Sequence, residues 1–293
     1  MFQFESGVDL TGEGSNDGNG GADSDGQLLT RTRDAFVGLS SPLGQLVFGR
    51  VGGLNQWVYD YNLFADQVGD LGNIWGGTGL AGRVDSSIHY TSPNLAGASL
   101  KVVYAPEEDT EDTEVWVVKG DYQGSGPLDG LTLGAAFMSQ GTGPGSDEQQ
   151  AVAVTGSYAL AGGAIGIGGG FQHESDIAGV SGEDRDSFTV GGSLDLASLG
   201  GTERLGRVKA QFVHSSGEDS DQDAFQWAVG YDHPVADNAT LYIAYAAVEN
   251  DSAAQFSANN YGHGDAVTPS LGEDPWVVSF GFVYSFRAAL WPR

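Results

Sequence analysis

"PWVVSFGFVYSF", residues 275–286, decides the fold. In an extended chain successive side chains point to opposite faces, so Trp276, Val278, Phe280, Phe282, Tyr284 and Phe286 share one face while Val277, Ser279, Gly281, Val283 and Ser285 share the other. One face is large and apolar. The other is mostly small or polar. The same period of two runs through "AFQWAVGYD" (224–232), with Phe225, Trp227, Val229 and Tyr231 together, and through "DSFTVGGSLDL" (186–196), with Phe188, Val190, Leu194 and Leu196 together.

Working outward from these segments, the period predicts about fourteen strands, near 2–8, 31–40, 45–50, 83–91, 98–105, 114–123, 131–139, 149–160, 165–174, 185–196, 206–215, 224–233, 238–248 and 275–286. The connections alternate between tight turns ("SSPLG", "SPNLAG", "LAGGA", "PVADN") and longer acidic or glycine-rich loops, including "LTGEGSNDGNGGADSDG", "PEEDTEDTE" and the run 249–274; the acidic runs "PEEDTEDTE", "SGEDRD" and "SGEDSDQD" are read as solvated. A soluble sandwich has no reason to keep every second connection short. A bacterial outer-membrane barrel does, with short turns on its inner side and long loops outside.

Composition excludes several other classes. With 12 basic and 39 acidic residues the net charge is −27, which repels a polyanion and removes nucleic acid as a partner. There is no cysteine, and 47 of the 293 residues are glycine. No stretch reaches the roughly 20 apolar residues of a transmembrane helix, and no basic-then-apolar leader precedes "FQFESGVDL". The aromatics Tyr90, Trp116, Tyr122, Tyr158, Trp227, Tyr231, Trp276, Tyr284 and Phe286 fall near strand ends on the apolar face, as interfacial girdles do. The expected fold is all-β, a transmembrane antiparallel β-barrel over residues 1–293 as one domain. A soluble acidic sandwich or adhesin, with the charge serving solubility, is the reading from another class.

"TRTRDAFVGLSSPLGQLVFGR", "LFADQVGDLGN", "GRVDSSIHYTSPNLAGASLKVVYAP" and the closing "VVSFGFVYSF" resemble, in this order and over nearly the whole chain, the trimeric general porins of Gram-negative outer membranes. The resemblance implies a homotrimer in membrane lipid that passes small hydrophilic solutes and ions by diffusion, with no catalysis and no cofactor. A substrate-selective channel of the same architecture is the alternative within the fold. The family barrel has sixteen strands and a third external loop folded into the lumen. Against it, this chain begins at what corresponds to the third strand and carries "RAALWPR" after Phe286, with 287–293 an atypical tail. An upstream hairpin is therefore expected to aid closure.

Arg31 and Arg33 share a parity, and two cations facing lipid would cost roughly 2–4 kcal/mol each at mid-membrane, so the expectation is that both face the lumen. By resemblance they match the basic wall of the family's constriction, as does Arg83; Arg50 is an expected neighbour. Lys101 is placed inside because Leu100, Val102 and Tyr104 take the lipid face. The connection 51–82 is far longer than the ~12–15 residues usual for a structureless loop, and its apolar residues predict packing around a short helix near 59–68. Asp60, Asp66 and Asp70 are expected to project from it toward the bases, the resemblance carrying Asp66 and Asp70 better than Asp60. Facing rows of opposite charge would filter ions by sign at the narrowest water path, and the acidic loops predict a preference for cations.

Motifs for other chemistry are weak. The histidines 89, 173, 214, 233 and 263 show no metal-ligand spacing, and His89 is read as a surface imidazole. "GIGGGF" and "TVGGSL" lie within strands, where glycine is expected to relieve crowding at bends. "NDGNGGADSDG" offers Asp17, Asp23 and Asp25 but lacks the spacing and bidentate Glu of a dedicated calcium loop, so no metal is expected.

Overall fold

The computed structural model describes residues 1–8, 29–52, 60–75, 83–107, 109–199, 205–260 and 266–285, with the side chains of 5–8, 29–33, 52 and 199 outside the description. The strands are β1 (Phe2–Val8), β2 (Leu29–Ser41), β3 (Gly44–Gly52), β4 (Arg83–Thr91), β5 (Ala98–Ala105), β6 (Val115–Gln123), β7 (Leu131–Gln140), β8 (Gln149–Leu160), β9 (Ile165–Ser175), β10 (Arg185–Asp195), β11 (Arg207–Gly217), β12 (Ala224–Ala236), β13 (Ala239–Asn250) and β14 (Trp276–Tyr284). They form one sheet in sequence order, each strand antiparallel to the next. Among the described residues β1 and β14 are its two edges, and the sheet is not closed.

Burial runs opposite to that of a soluble sandwich. Phe280 is 73% exposed and Phe282 58%, as are most apolar residues of their parity, whereas Gln172, Gln226, Gln149 and Glu174 are buried on the other face. Apolar out and polar in is the pattern of a wall between hydrocarbon and water. Aromatics gather at both rims of the outer face. Tyr104 packs on Trp116 (ring centroids 4.2 Å), Phe212 on Phe225 (3.9 Å) and Trp227 on Tyr245 (5.0 Å) near the long loops. At the short-turn rim, Gly44 and Gly206 hold φ of +120° and +68°, and Tyr90 and Tyr231 lie over them where a Cβ would sit. The hydroxyls of these tyrosines donate to Leu43 O and Leu205 O, both at 2.7 Å, locking ring to turn. Phe286 lies outside the described residues.

The segment after β3 positions the site. Residues 60–70 are a chain of turns, and the only described helix in it, α1, spans Gly72–Trp75. The helix expected near 59–68 is absent at the described residues 60–68 because side chains take over the backbone donors. Asn62 Oδ1 accepts from Phe64 N and Leu71 N, while Asp70 accepts from Asp66 N and Gly72 N. Such Asx bonds compete with helix, and Asp66 and Gly69 add positive φ.

Candidate pore constriction

The inner face of the sheet carries a seat of small residues, and the loop 60–75 is packed into it. A Cβ on Gly230 would lie 2.8 Å from the Phe64 ring, on Gly168 2.5 Å from Tyr61, on Gly170 2.9 Å from Trp75, and on Gly134 within van der Waals overlap of Asp60. The strand glycines of "GIGGGF" and their neighbours thus admit the loop's side chains. This goes beyond the expected relief of bending. Phe64, Leu71, Ile74 and Trp75 are wholly buried, each worth about 1.5–3 kcal/mol. One short segment reaches partners from β6 to β12 because the sheet curls around it.

Polar bonds fix the register. Asp60 Oδ1 is 2.7 Å from Lys119 Nζ on β6, and Asp60 Oδ2 accepts from Thr155 Oγ1 at 3.0 Å on β8. Leu63 N donates to Gln211 Oε1 (2.8 Å), Gln226 Nε2 donates to Gly69 O (3.1 Å), and Gln172 Nε2 donates to Trp75 O (3.2 Å). Lys209 reaches Gln67 Oε1 at 2.9 Å and Asp232 Oδ2 at 3.0 Å, with its ammonium 4.8 Å from the Phe64 ring centroid. Sequence reasoning passed over Lys119 and Lys209, although strand parity points both inward.

The three loop acids divide into different environments. Asp66 is exposed, within the turn closed by Gln67 N donating to Phe64 O. Asp60 is mostly buried, and burial raises its carboxyl above the ordinary value of 3.8 against the lowering effect of Lys119 and Thr155. Asp70 is 0% exposed and faces its own turn, which departs from its expected projection toward the bases. Its oxygens accept from Asn62 Nδ2 (2.8 Å), Asp66 N (2.8 Å) and Gly72 N (2.7 Å). Burial pushes this carboxyl up to about 6, with those bonds opposing. Tyr61, packed against Gly168, has its hydroxyl pushed up to about 12 by burial.

On β4 Arg83 Nε lies 2.8 Å from Asp34 Oδ1, both side chains about one-fifth exposed. Lys101 lines a 200 Å³ recess with Asp34, Gln45, His89 and Thr91, and its register partner is Lys119. His89 is buried there, not at the surface. Arg50 departs from its expected place. Its neighbour Val51 lines that recess with Val47, so Arg50 falls on the alternate, outer row with Phe48, where it pairs with Asp85 Oδ2 at 2.6 Å. Arg31 and Arg33 lie on the backbone of β2, whose register with β1 shifts between Phe4 and Ser6, and their side chains are outside the described residues. So are Asp17, Asp23 and Asp25. No group of metal-ligating side chains occurs among the described residues.

An antiparallel wall with an apolar outer face, aromatic rims and an inward-packed loop defines an outer-membrane channel. The Gram-negative porin family matches residues 1–254, and the chain belongs to that family of non-enzymatic channels. No curated protein matches the sequence. Among solved structures, the anion-selective porin of Comamonas acidovorans is similar at 19% identity, with a TM-score of 0.69 over 88% of this chain and 79% of that one. OmpT of Vibrio cholerae follows at 17% identity, TM-score 0.61, covering 87% and 81%. OmpF of Salmonella typhi, in complex with daunomycin, has 14% identity, TM-score 0.61, covering 87% and 78%. The protein is an outer-membrane porin, embedded in lipid and passing solutes.

Proposed function

We propose that this porin is a general diffusion channel for small hydrophilic solutes and ions, that it prefers cations, and that Asp66 sets the preference. The observation that carries the sign is an imbalance of pairing around the inserted loop. Arg83 is neutralised by Asp34, Lys119 by Asp60 and Asp121, and Lys209 by Asp232, while Asp66 is exposed. A charge beside the narrowest water path acts on every permeating ion at close range and in a medium less polarisable than bulk water. The net charge of −27 acts in the same direction from farther away. The Comamonas protein is anion-selective, and likeness of fold at this identity does not transfer the sign.

Arg31, Arg33, Arg83 and Lys101 belong to this proposal as the basic wall facing Asp66, and the proposed assembly is a homotrimer like that of the resembled family. Reversal potentials in asymmetric potassium chloride test the sign. Cation preference that falls in Asp66→Asn is the expected result; anion preference in the unmodified channel overturns the reading. Cross-linking in mild detergent, read before and after boiling, tests the trimer.

A further inference from the structure

The connection between β13 and β14, expected only to be a long acidic or glycine-rich loop, is folded into the protein over its described part. Asn250 turns it inward: Nδ2 donates to Phe256 O (2.9 Å) and Glu273 O (2.7 Å), and Oδ1 accepts from Phe256 N (2.8 Å). Gly272 N donates to Ala254 O and Val267 N to Asn259 O, both at 2.9 Å, which closes the segment on itself. Ala254, Ala258 and Asn259 are buried. The Arg185 guanidinium, at the start of β10, lies 4.6 Å from the Phe256 ring centroid.

The inner tip of this connection meets the constriction loop. Ala258 O accepts from Gly69 N at 3.0 Å and from Asn73 Nδ2 at 3.1 Å, while Asn73 Oδ1 accepts from Asn260 N at 2.8 Å. Asn73, buried in α1, also places Nδ2 3.1 Å from Gln226 Oε1 on β12. One amide therefore joins the inserted loop, the last connection and the wall. The glutamines 172, 211 and 226 hold the loop from the wall side. The Ala258 carbonyl and the Asn260 amide hold it from the other side.

We infer that the last connection positions the constriction loop through Asn73, so that residues 254–260 help set the width of the channel. That segment, "AQFSANN", contains no charged residue. Its influence on ion flow therefore runs through the placement of the loop. Buried donors on Gly69 and Asn73 lose their acceptor when the segment withdraws, and the loop must then move or take up water. A connection with exposed residues such as Leu271 is thereby linked mechanically to the narrowest part of the pore.

The inference rests on the channel reading but not on the sign of its selectivity, because conductance and current noise read it. Single-channel records in planar bilayers would compare the unmodified chain with Asn73→Asp, with a variant whose residues 253–272 are replaced by a short glycine-serine turn, and with the two combined. Asn73→Asp keeps the acceptor for Asn260 and sets an oxygen against the Ala258 and Gln226 oxygens. Each single change is expected to alter open-channel conductance by tens of per cent and to raise open-channel noise. The combination is expected to exceed neither alone, as for two parts of one contact. Unchanged conductance and noise in the shortened variant, or fully additive effects, would overturn the inference. Should the shortened chain fail to insert, Ala258→Leu, which crowds the same buried contact, must reproduce the effect or the inference is lost.

Discussion

Lys119 Nζ sits 2.7 Å from Asp60 Oδ1, with the two side chains 11% and 17% exposed, and ties the start of the inserted loop to β6. The same ammonium reaches Asp121. Two carboxylates thus share one cation directly across from Lys101 in the register of β5 and β6.

Replacing Lys119 by Met leaves both acids without that cation. Because the pair is nearly buried, the loss should approach the roughly 3–5 kcal/mol seen when one partner of a buried pair is removed. Hydrogen exchange is the readout: amides of 60–64 should lose protection while strand amides of β8 to β10 keep theirs. Equal loss in both places would contradict a local role.

Gly230→Ala puts a methyl 2.8 Å from the Phe64 ring and 3.1 Å from the Lys209 stem, both movable side chains, and 3.3 Å from Ile243 O. The wall should tolerate it, and the loop should not. Overpacking of this kind costs about 1–3 kcal/mol. The expected result is an altered conductance in a barrel whose heat-dependent gel migration is unchanged; an unaltered conductance would mean that Phe64 has room to yield.

Asp70 has a carboxyl at about 6 in the fold against an ordinary 3.8. A raised folded value means the native state holds the proton more tightly, so this group favours the fold fully below about 3.8, and the advantage is lost as pH rises through about 6. Loop stability, followed by hydrogen exchange at 66 and 72, should decline over that window in the unmodified protein and run flat in Asp70→Asn. The substitution also sets an amide NH₂ against a backbone donor, at a cost of about 1–3 kcal/mol. A slope that survives the substitution would assign the titration elsewhere.

Charge on the inserted loop and charge outside the wall should respond differently to salt. Screening acts over about 8 Å at physiological ionic strength and about 3 Å at 1 M. Neutralising Glu111, Asp112 and Glu114, which lie in the connection after β5, should lower cation preference in dilute salt and lose its effect in concentrated salt. Asp66→Asn should lower it in both. Identical salt dependence would place Asp66 away from the ion path.

The strands were legible because a wall between lipid and water imposes period two on nearly every residue, and the structure's strands fall within a few residues of the sequence reading at every end. The inserted loop was legible as a packed segment from Trp57, Leu63, Phe64 and Leu71, but its internal geometry was not. Asp70 looks like any loop carboxylate until its three donors are seen. Arg50 ends a strand, where a basic residue suits either face, and only the alternation from Val47 to Val51 assigns it. Lys119 could have been found by counting from Trp116 and Val118, which face out. The last connection offered one signal, an uncharged "SAAQFSANN" within acidic surroundings. Its partner lies far away in sequence, beyond any local pattern.

The glycine seat divides the channel into a casing and a liner. The casing is fixed by strand pairing, which tolerates few changes of register without turning its greasy side inward. The liner rests on it through side chains such as Tyr61, Phe64 and Trp75 set into missing Cβ positions. Bore can therefore change by one methyl group in the seat, with no strand added or lost. Exchange of a single glycine at 134, 168, 170 or 230 would adjust the liner finely and leave untouched the surface presented to the lipid.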